Sequence, residues 1–464
     1  MGDCLGTASL VSNRNIQMVT VKTAPFSPVV GGELLGVQTE VGRNEPGRPT
    51  ERVRFFAWGP RTYDNRQPMD SEGTGSPYLA SMRLARLQGL EEGVSMRFDK
   101  RRTILVGRNG AGKSLLLEGL HRAAQMAVMG TPRAGVPMEF ECEIVSRDDR
   151  IGYTFLNVIE SSKVDEEEGF HTNWTERCWN INTGDEHWRV EDDTLILPNS
   201  EPLELGPGIG LMSIRRTDRD ETRFQAPPEL RIVRSILTMS AMVGSGNIRA
   251  GARQNSANEL LVAKITPDGK RRWYTGIGPR VRPPRIGRLS AQIANMFENR
   301  EEEFQEFVGL MGRLGLLSKV DLAVYELEKA ADDSPQAYGM PRFDGVPISN
   351  LSDGTLRVAE IVLALIRYSP LLLIEEPELA VHPGLLGGLL NEVDAYNSDH
   401  QIMVSTHSPQ VVSWCRPNEL RLVRRKDSVT VVDELTSEQV NRVCSFISDE
   451  GTLGDYVFCS PENE

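Results

Sequence analysis

The sequence predicts an α/β fold: a mixed, largely parallel core sheet with an antiparallel β-lobe and a globular α+β insert. Three observations predict it. A short apolar strand, Thr103–Val106, runs into a glycine-rich loop and then a helix. A second apolar run, Leu371–Ile374, ends in paired acids, as expected of a parallel strand buried on both faces. Between them, residues 138–205 break into short strand-like runs parted by polar turns, which reads as a β-meander.

The elements follow in order. Residues 1–77, rich in Gly, Pro, Asn and Thr, are expected to form a β-rich or partly disordered appendage, with strand-like pieces at Ile16–Lys22 and Val53–Trp58. Val94–Phe98 reads as a strand, and Leu115–Met129 as a helix with Leu116, Leu120, Ala123, Ala124 and Ala127 on one side. The meander strands are Glu139–Ser146, Ile151–Glu160, Cys178–Asn182 and His187–Leu197. Pro228–Met239 reads as a helix and Leu260–Thr275 as a hairpin turning at Pro267–Lys270. Leu289–Leu316 carries one helical periodicity, and Ala330–Asn350 reads as a polar loop. A helix, a strand, a helix and a strand ending at Ser405 follow. The expected ranges are 1–77, 78–130, 131–347 and 348–458, with a disordered tail at 459–464.

The chain has 464 residues, 39% hydrophobic and 25% charged, enough to bury a large core. It has no apolar run near the ~18 residues of a membrane-spanning helix. The start of the chain lacks a basic, then apolar, stretch, so a secretory signal is not expected. Six scattered cysteines without a C-x-x-C pair point to a reduced, cytoplasmic compartment, with neither zinc nor a disulfide framework. A net charge of −13 disfavours general coating of nucleic acid. The charge is uneven, however: between Arg249 and Arg288 ten basic residues face two acids, Glu259 and Asp268.

Four motifs carry chemistry. Gly107-Arg108-Asn109-Gly110-Ala111-Gly112-Lys113-Ser114 fits G-x-x-x-x-G-K-[ST]. Its glycines let successive backbone N–H groups and a helix N-terminus face phosphate; Lys113 would reach the β- and γ-phosphates and Ser114 would hold Mg²⁺. A plain helix-capping turn is the bland alternative. Glu375-Glu376-Pro377-Glu378 closes the apolar strand: Glu375 would orient the metal's water shell and Glu376 would act as general base. A solvated acidic turn is the alternative there. Ser352 and Gly354 open the helix that precedes this strand, where Ser352 also suits an N-cap. His407 ends the last strand, either as a structural residue or as a γ-phosphate contact.

In this order the four elements resemble the ABC-type P-loop ATPase head, over Leu79–Val128 and Ile348–Val412 with an extension to Asp455. The resemblance implies ATP and Mg²⁺ as ligands, with Gly107–Ser114 as Walker A and Ile374–Glu376 as Walker B. It implies Leu351–Thr355 as the signature, Ala380–His382 at the D-loop position and His407 as the switch histidine. Lys113, Glu376 and His407 are then catalytic, and Ser114 and Glu375 hold the metal. The signature of such a head closes over the nucleotide of a second copy, so the resemblance also implies at least a homodimer. Glu375 stands where the family usually has Asp. The whole Glu375–Glu378 string resembles the RecF-like/OLD-like branch, including stand-alone ATPases of anti-phage defence systems of the PARIS or Septu type. A Q-loop glutamine has no clear place: Gln125 lies in the first helix, and Glu139–Leu197 contains none.

The long stretch between Lys113 and Ser352 has no sustained heptads and no zinc-hook cysteines, so a globular insert is expected rather than a coiled-coil arm. Its basic segment, Arg249–Arg288, has three readings. It is a nucleic-acid surface with Trp273 and Tyr274 available for stacking, a solvated hairpin paired with the acidic run Glu298–Glu306, or a dock for an acidic protein. The stretch after His407 is too short for a TOPRIM nuclease, so a separate effector protein is expected. The leading functional expectation is an ATPase subunit of an anti-phage defence system; the alternative is a RecF-like DNA-repair ATPase that binds DNA through the basic insert.

Overall fold

The computed structural model describes residues 77–129, 137–146, 149–164, 167–191, 194–204, 228–238, 241–244, 261–265, 271–275, 285–326, 337–367, 370–396, 401–427, 429–449 and 452–459. The strand-like pieces expected at Ile16–Lys22 and Val53–Trp58, and the tail beyond Cys459, lie outside these residues.

A six-stranded sheet forms the centre. Its order is β10 (Ala241–Val243), β16 (Leu371–Glu375), β17 (Gln401–Thr406), β3 (Arg102–Val106), β18 (Leu420–Lys426) and β19 (Val429–Glu434). Every neighbouring pair is parallel except the last, which is antiparallel. The middle strands β3, β16 and β17 are buried at every position. Their alternate residues enter two different cores: Leu372, Ile374, Ile402 and Val404 on one face, Leu371, Leu373 and Met403 on the other. That double burial explains why the sequence shows unbroken apolar runs here rather than alternation.

On the first face lie α5 (Asp353–Ile366), α6 (Pro383–Ala395), α3 (Arg285–Asn299) and α4 (Glu301–Arg313). On the second lie α1 (Lys113–Met129), α2 (Pro228–Thr238) and an eight-stranded antiparallel sheet. Its order is β2 (Val94–Arg97), β1 (Tyr78–Ala85), β4 (Met138–Ser146), β5 (Asp149–Val164), β6 (Glu167–Asn180), β7 (Glu186–Glu191), β8 (Thr194–Ile196) and β9 (Leu203–Glu204). Buried Gln401 ties the two sheets together. Its side chain accepts from Leu79 N at 2.9 Å and donates to Leu79 O at 2.7 Å and Asp99 O at 2.9 Å.

A third sheet orders β12 (Arg271–Thr275), β11 (Leu261–Ile265), β14 (Ala337–Phe343) and β13 (Val320–Glu326), with β15 (Val346–Pro347) pairing β14. The range 131–347 therefore supplies strands to all three sheets, including edge strand β10 of the central one. The chain ends in α7 (Pro409–Ser413), α8 (Ser437–Asp449) and α9 (Leu453–Cys459).

Several local expectations change. The strand read at Cys178–Asn182 is instead the far end of β6, and Ile181–Thr183 turn. The charged opening of β6 hides its periodicity, and pairing with β5 from Ile151↔Asn180 to Val164↔Glu167 supplies what the residues do not announce. Leu289–Leu316 is two helices, not one, parted at Arg300 (φ −143°), with Phe297 and Phe304 packed edge to face across the break. Part of the expected polar loop 330–350 is strand: β14 alternates buried and half-buried residues around Gly339. Glycine is needed there because a Cβ would come within 2.4 Å of the Trp273 ring. No helix among the described residues is long and apolar enough to cross a membrane.

Candidate functional site

Parallel register brings the carboxyl ends of the central strands to one edge. Glu375 pairs with Ser405, and Thr406 pairs with Val106, so Glu376, His407 and Gly107 leave the sheet side by side. Ligand sites of open α/β sheets form at such strand ends.

The loop Gly107–Ser114 is shaped by its glycines. A Cβ on Gly107 would lie 2.1 Å from the Val423 carbonyl oxygen. Gly112 has φ +107°, and a Cβ there would lie 2.5 Å from Thr430 Oγ1. Thr430 Oγ1 also donates to Ala111 O at 3.3 Å, so β18 and β19 back the loop from outside. Arg108, Asn109 and Gly110 form an exposed tip, and Ser114 is exposed in the first turn of α1.

Lys113 is 5% exposed. Its ammonium donates to Gly107 O at 2.9 Å, Arg108 O at 3.2 Å and His407 Nε2 at 2.7 Å. An ammonium can only donate, so Nε2 accepts and the ring proton sits on Nδ1. Burial lowers the Lys113 pKa, against the upward pull of Glu376, Glu378 and Glu375. Burial and the neighbouring ammonium lower that of His407, against Glu376 and Glu378. The pair is a charged lysine on a neutral histidine, held by neutral acceptors. A buried cation in a glycine cradle at a helix N-terminus fits a nucleotide's phosphate chain.

Glu376 Oε1 lies 3.7 Å from His407 Nε2. Its backbone stands at φ +46°, rare for a residue with a side chain, and its N–H donates to Ser405 O at 2.8 Å. Glu378 secures the opposite loop: its Oε1 accepts from Thr406 Oγ1 at 2.7 Å and from His407 N at 2.9 Å. Arg357 on α5, 5% exposed, secures the acidic turn from below. Its guanidinium donates to the carbonyls of Gly244, Glu375 and Glu376. Burial, helped by Arg285, pulls its pKa down to about 10.

The structure thus gathers Lys113, Glu376 and His407 into one cluster beside buried Glu375. Ser352 and Gly354 belong to a second group. Ser352 caps α5, its Oγ accepting from Thr355 N at 3.1 Å. Gly354 lies against the turn after Glu376, where a Cβ would approach Ala380 O to 2.2 Å. His382 caps α6 through Gly384 N at 3.1 Å. Gln125 contacts His121 on its own helix at 2.8 Å. Sequence reading missed Arg357, Glu378, Val423 and Thr430 as site residues. Val423 and Thr430 act by shape against backbone and leave no motif; Glu378 alone was visible, inside the acidic string.

Residues 315–413 match the family model described as "AAA domain, putative AbiEii toxin, Type IV TA system". The match spans the helix α5, the acidic strand and His407. With the phosphate-loop geometry, it decides the class. This chain carries a P-loop ATPase domain. Solved structures similar to it include the Smc head bound to the C-winged helix domain of ScpA (13% identity, 78% of this chain and 99% of that one, TM-score 0.38). Another is the SMC head domain from Thermotoga maritima (14%, 77% and 99%, TM-score 0.33). A third is the Pyrococcus furiosus Smc head with an extended coiled coil bound to the C-terminal domain of ScpA (12%, 80% and 100%, TM-score 0.37). At these scores nothing of the neighbours' partners carries over to this ATPase. No curated protein matches the chain at a significant level.

Proposed function

We propose that this chain is an ABC-type ATPase that binds and hydrolyses ATP between two head-to-head copies. It acts as the sensor and scaffold subunit of an anti-phage defence system that holds or releases a separate effector. The observation that carries the hydrolytic reading is the cluster of Lys113, His407 and Glu376, with Glu376 held in a left-handed turn by Ser405 and Arg357. Lys113 exchanges a loop carbonyl or His407 for phosphate oxygens and neutralises their charge. Glu376 accepts the proton of the attacking water, and neutral His407 orients the γ-phosphate. Ser114 Oγ and Glu375 would hold magnesium, which would supply further charge neutralisation.

The paired arrangement is supported by the exposed second group, where the Ser352 turn and the Ala380 turn form one surface through Gly354. The defence role is supported by the toxin–antitoxin description of the matched family and by the Glu375–Glu378 string. Sedimentation of Glu376→Gln protein with ATP tests the pairing: a nucleotide-dependent doubling of mass is expected, and a monomer at every ATP concentration refutes it. The effector reading fails if the native protein never co-purifies with a second gene product. The basic excess over Arg249–Arg288 favours one second reading, a RecF-like DNA-repair ATPase, for which duplex DNA should accelerate hydrolysis.

A further inference from the structure

Trp273, expected at an exposed stacking position, is instead 1% exposed in the core of the third sheet, packed with Leu261, Ala263, Ala294, Leu322, Val324 and Ala337. Alternation then sends its neighbours to the opposite face. Register places Tyr274 opposite Val262, Val262 opposite Tyr338, and Tyr338 opposite Tyr325. Three tyrosines and a valine therefore form one row across all four strands, on the face turned away from α3. Tyr274 is 45% and Tyr325 38% exposed, both among the most exposed large apolar side chains of the described residues.

Among the described side chains, the charge left unmatched on this face is positive. Exposed Arg272 stands beside Tyr274 on this face. At the far end Arg342 is matched by Asp321, whose carboxylate accepts from its Nε at 2.6 Å. The only described acid on the face is thus already neutralised.

We propose that this face binds single-stranded nucleic acid, with bases stacked along the Tyr274–Tyr338–Tyr325 row and phosphate drawn to Arg272. Neighbouring strands lie about 4.8 Å apart, so Tyr325 and Tyr338 serve adjacent bases and Tyr274 a base about 10 Å further. Every base offers a face for stacking, so the platform is tolerant of sequence. A protein partner would leave Arg272 without a phosphate to meet, and is the competing outcome. The inference does not rest on the hydrolytic reading, because the face lies outside the Lys113 cluster.

Fluorescence anisotropy of a labelled oligothymidylate of about 16 nucleotides tests it, on the full chain without nucleotide. Tyr274→Ala and Tyr325→Ala should each weaken binding by about tenfold, whereas the matching Tyr→Phe variants should bind like the native protein. Arg272→Glu should weaken binding and flatten its salt dependence. Lys113→Ala should leave oligothymidylate binding intact, which separates failure here from failure of the ATPase reading. The proposal is overturned if the native protein does not bind at low salt. It is equally overturned if the alanine variants bind as the native does, or if polyglutamate competes as well as unlabelled oligothymidylate.

Discussion

The central sheet and the third sheet use the same strand chemistry in opposite ways. Strands β3, β16 and β17 are buried on both faces, so only their ends can meet a ligand, and there Gly107, Glu376 and His407 leave side by side. Strand β14 alternates buried and half-buried residues, and its sheet buries one face against α3 while turning a tyrosine row outward. A doubly covered parallel sheet concentrates function at strand tips; an antiparallel sheet open over part of one face offers the side chains there as well.

The largest effects should come from the tips. Glu376→Gln should lower phosphate release on the order of 10²- to 10⁴-fold while ATP is still bound. Undiminished turnover would remove Glu376 from the role of base. Lys113→Ala should weaken ATP on the order of 100-fold by equilibrium binding, since it removes a buried cation that loop carbonyls hold ready for phosphate. Arg357→Met strands the three carbonyls that the guanidinium now serves, and a loss of about 3 kcal/mol in denaturant unfolding is expected.

The contrast in burial itself can be measured. Leu373→Ala, at a fully buried position, should cost about 2–5 kcal/mol. Tyr325→Ala on the outward row should change stability by no more than about 0.5 kcal/mol. Equal costs would mean that the tyrosine row is covered as well, and would break the comparison.

The smallest expected effect is on pH dependence. Burial and Lys113 hold the His407 pKa below its ordinary value, so in the ordinary imidazole range the unfolded chain binds more protons than the folded one. Thermal stability of the nucleotide-free protein should therefore fall as pH drops through that range and be unaffected above it. His407→Gln should flatten this limb of the melting-temperature profile. An unchanged profile would show that His407 does not titrate against Lys113.

Much of the central sheet was legible because its signals are local. An apolar run meeting Gly107–Ser114, and another ending at Glu375, need no distant partner to be recognised. Pro228 and Ser352 likewise mark a helix start and a cap by their own backbone preferences, while the turn expected at Pro267–Lys270 lies outside the described residues. The break at Arg300 was not legible, since the apolar spacing continues through it from Phe297 to Phe304. The opening of β6 was hidden for a different reason: its charged residues are strand only because β5 pairs with them.

By itself the sequence determined the phosphate loop, the acidic strand and the order of motifs, because each rests on residue types at short fixed spacing. Only the tertiary structure decided which of two adjacent aromatics is core: Trp273 fills the space left by Gly339, and Tyr274 turns outward in consequence. It also decided that Arg357 would lie beneath Glu376, and that Val423 and Thr430 would require glycine at positions 107 and 112. These are contacts between residues far apart in the chain, where the fit of a side chain to a distant backbone atom, not local preference, sets the outcome.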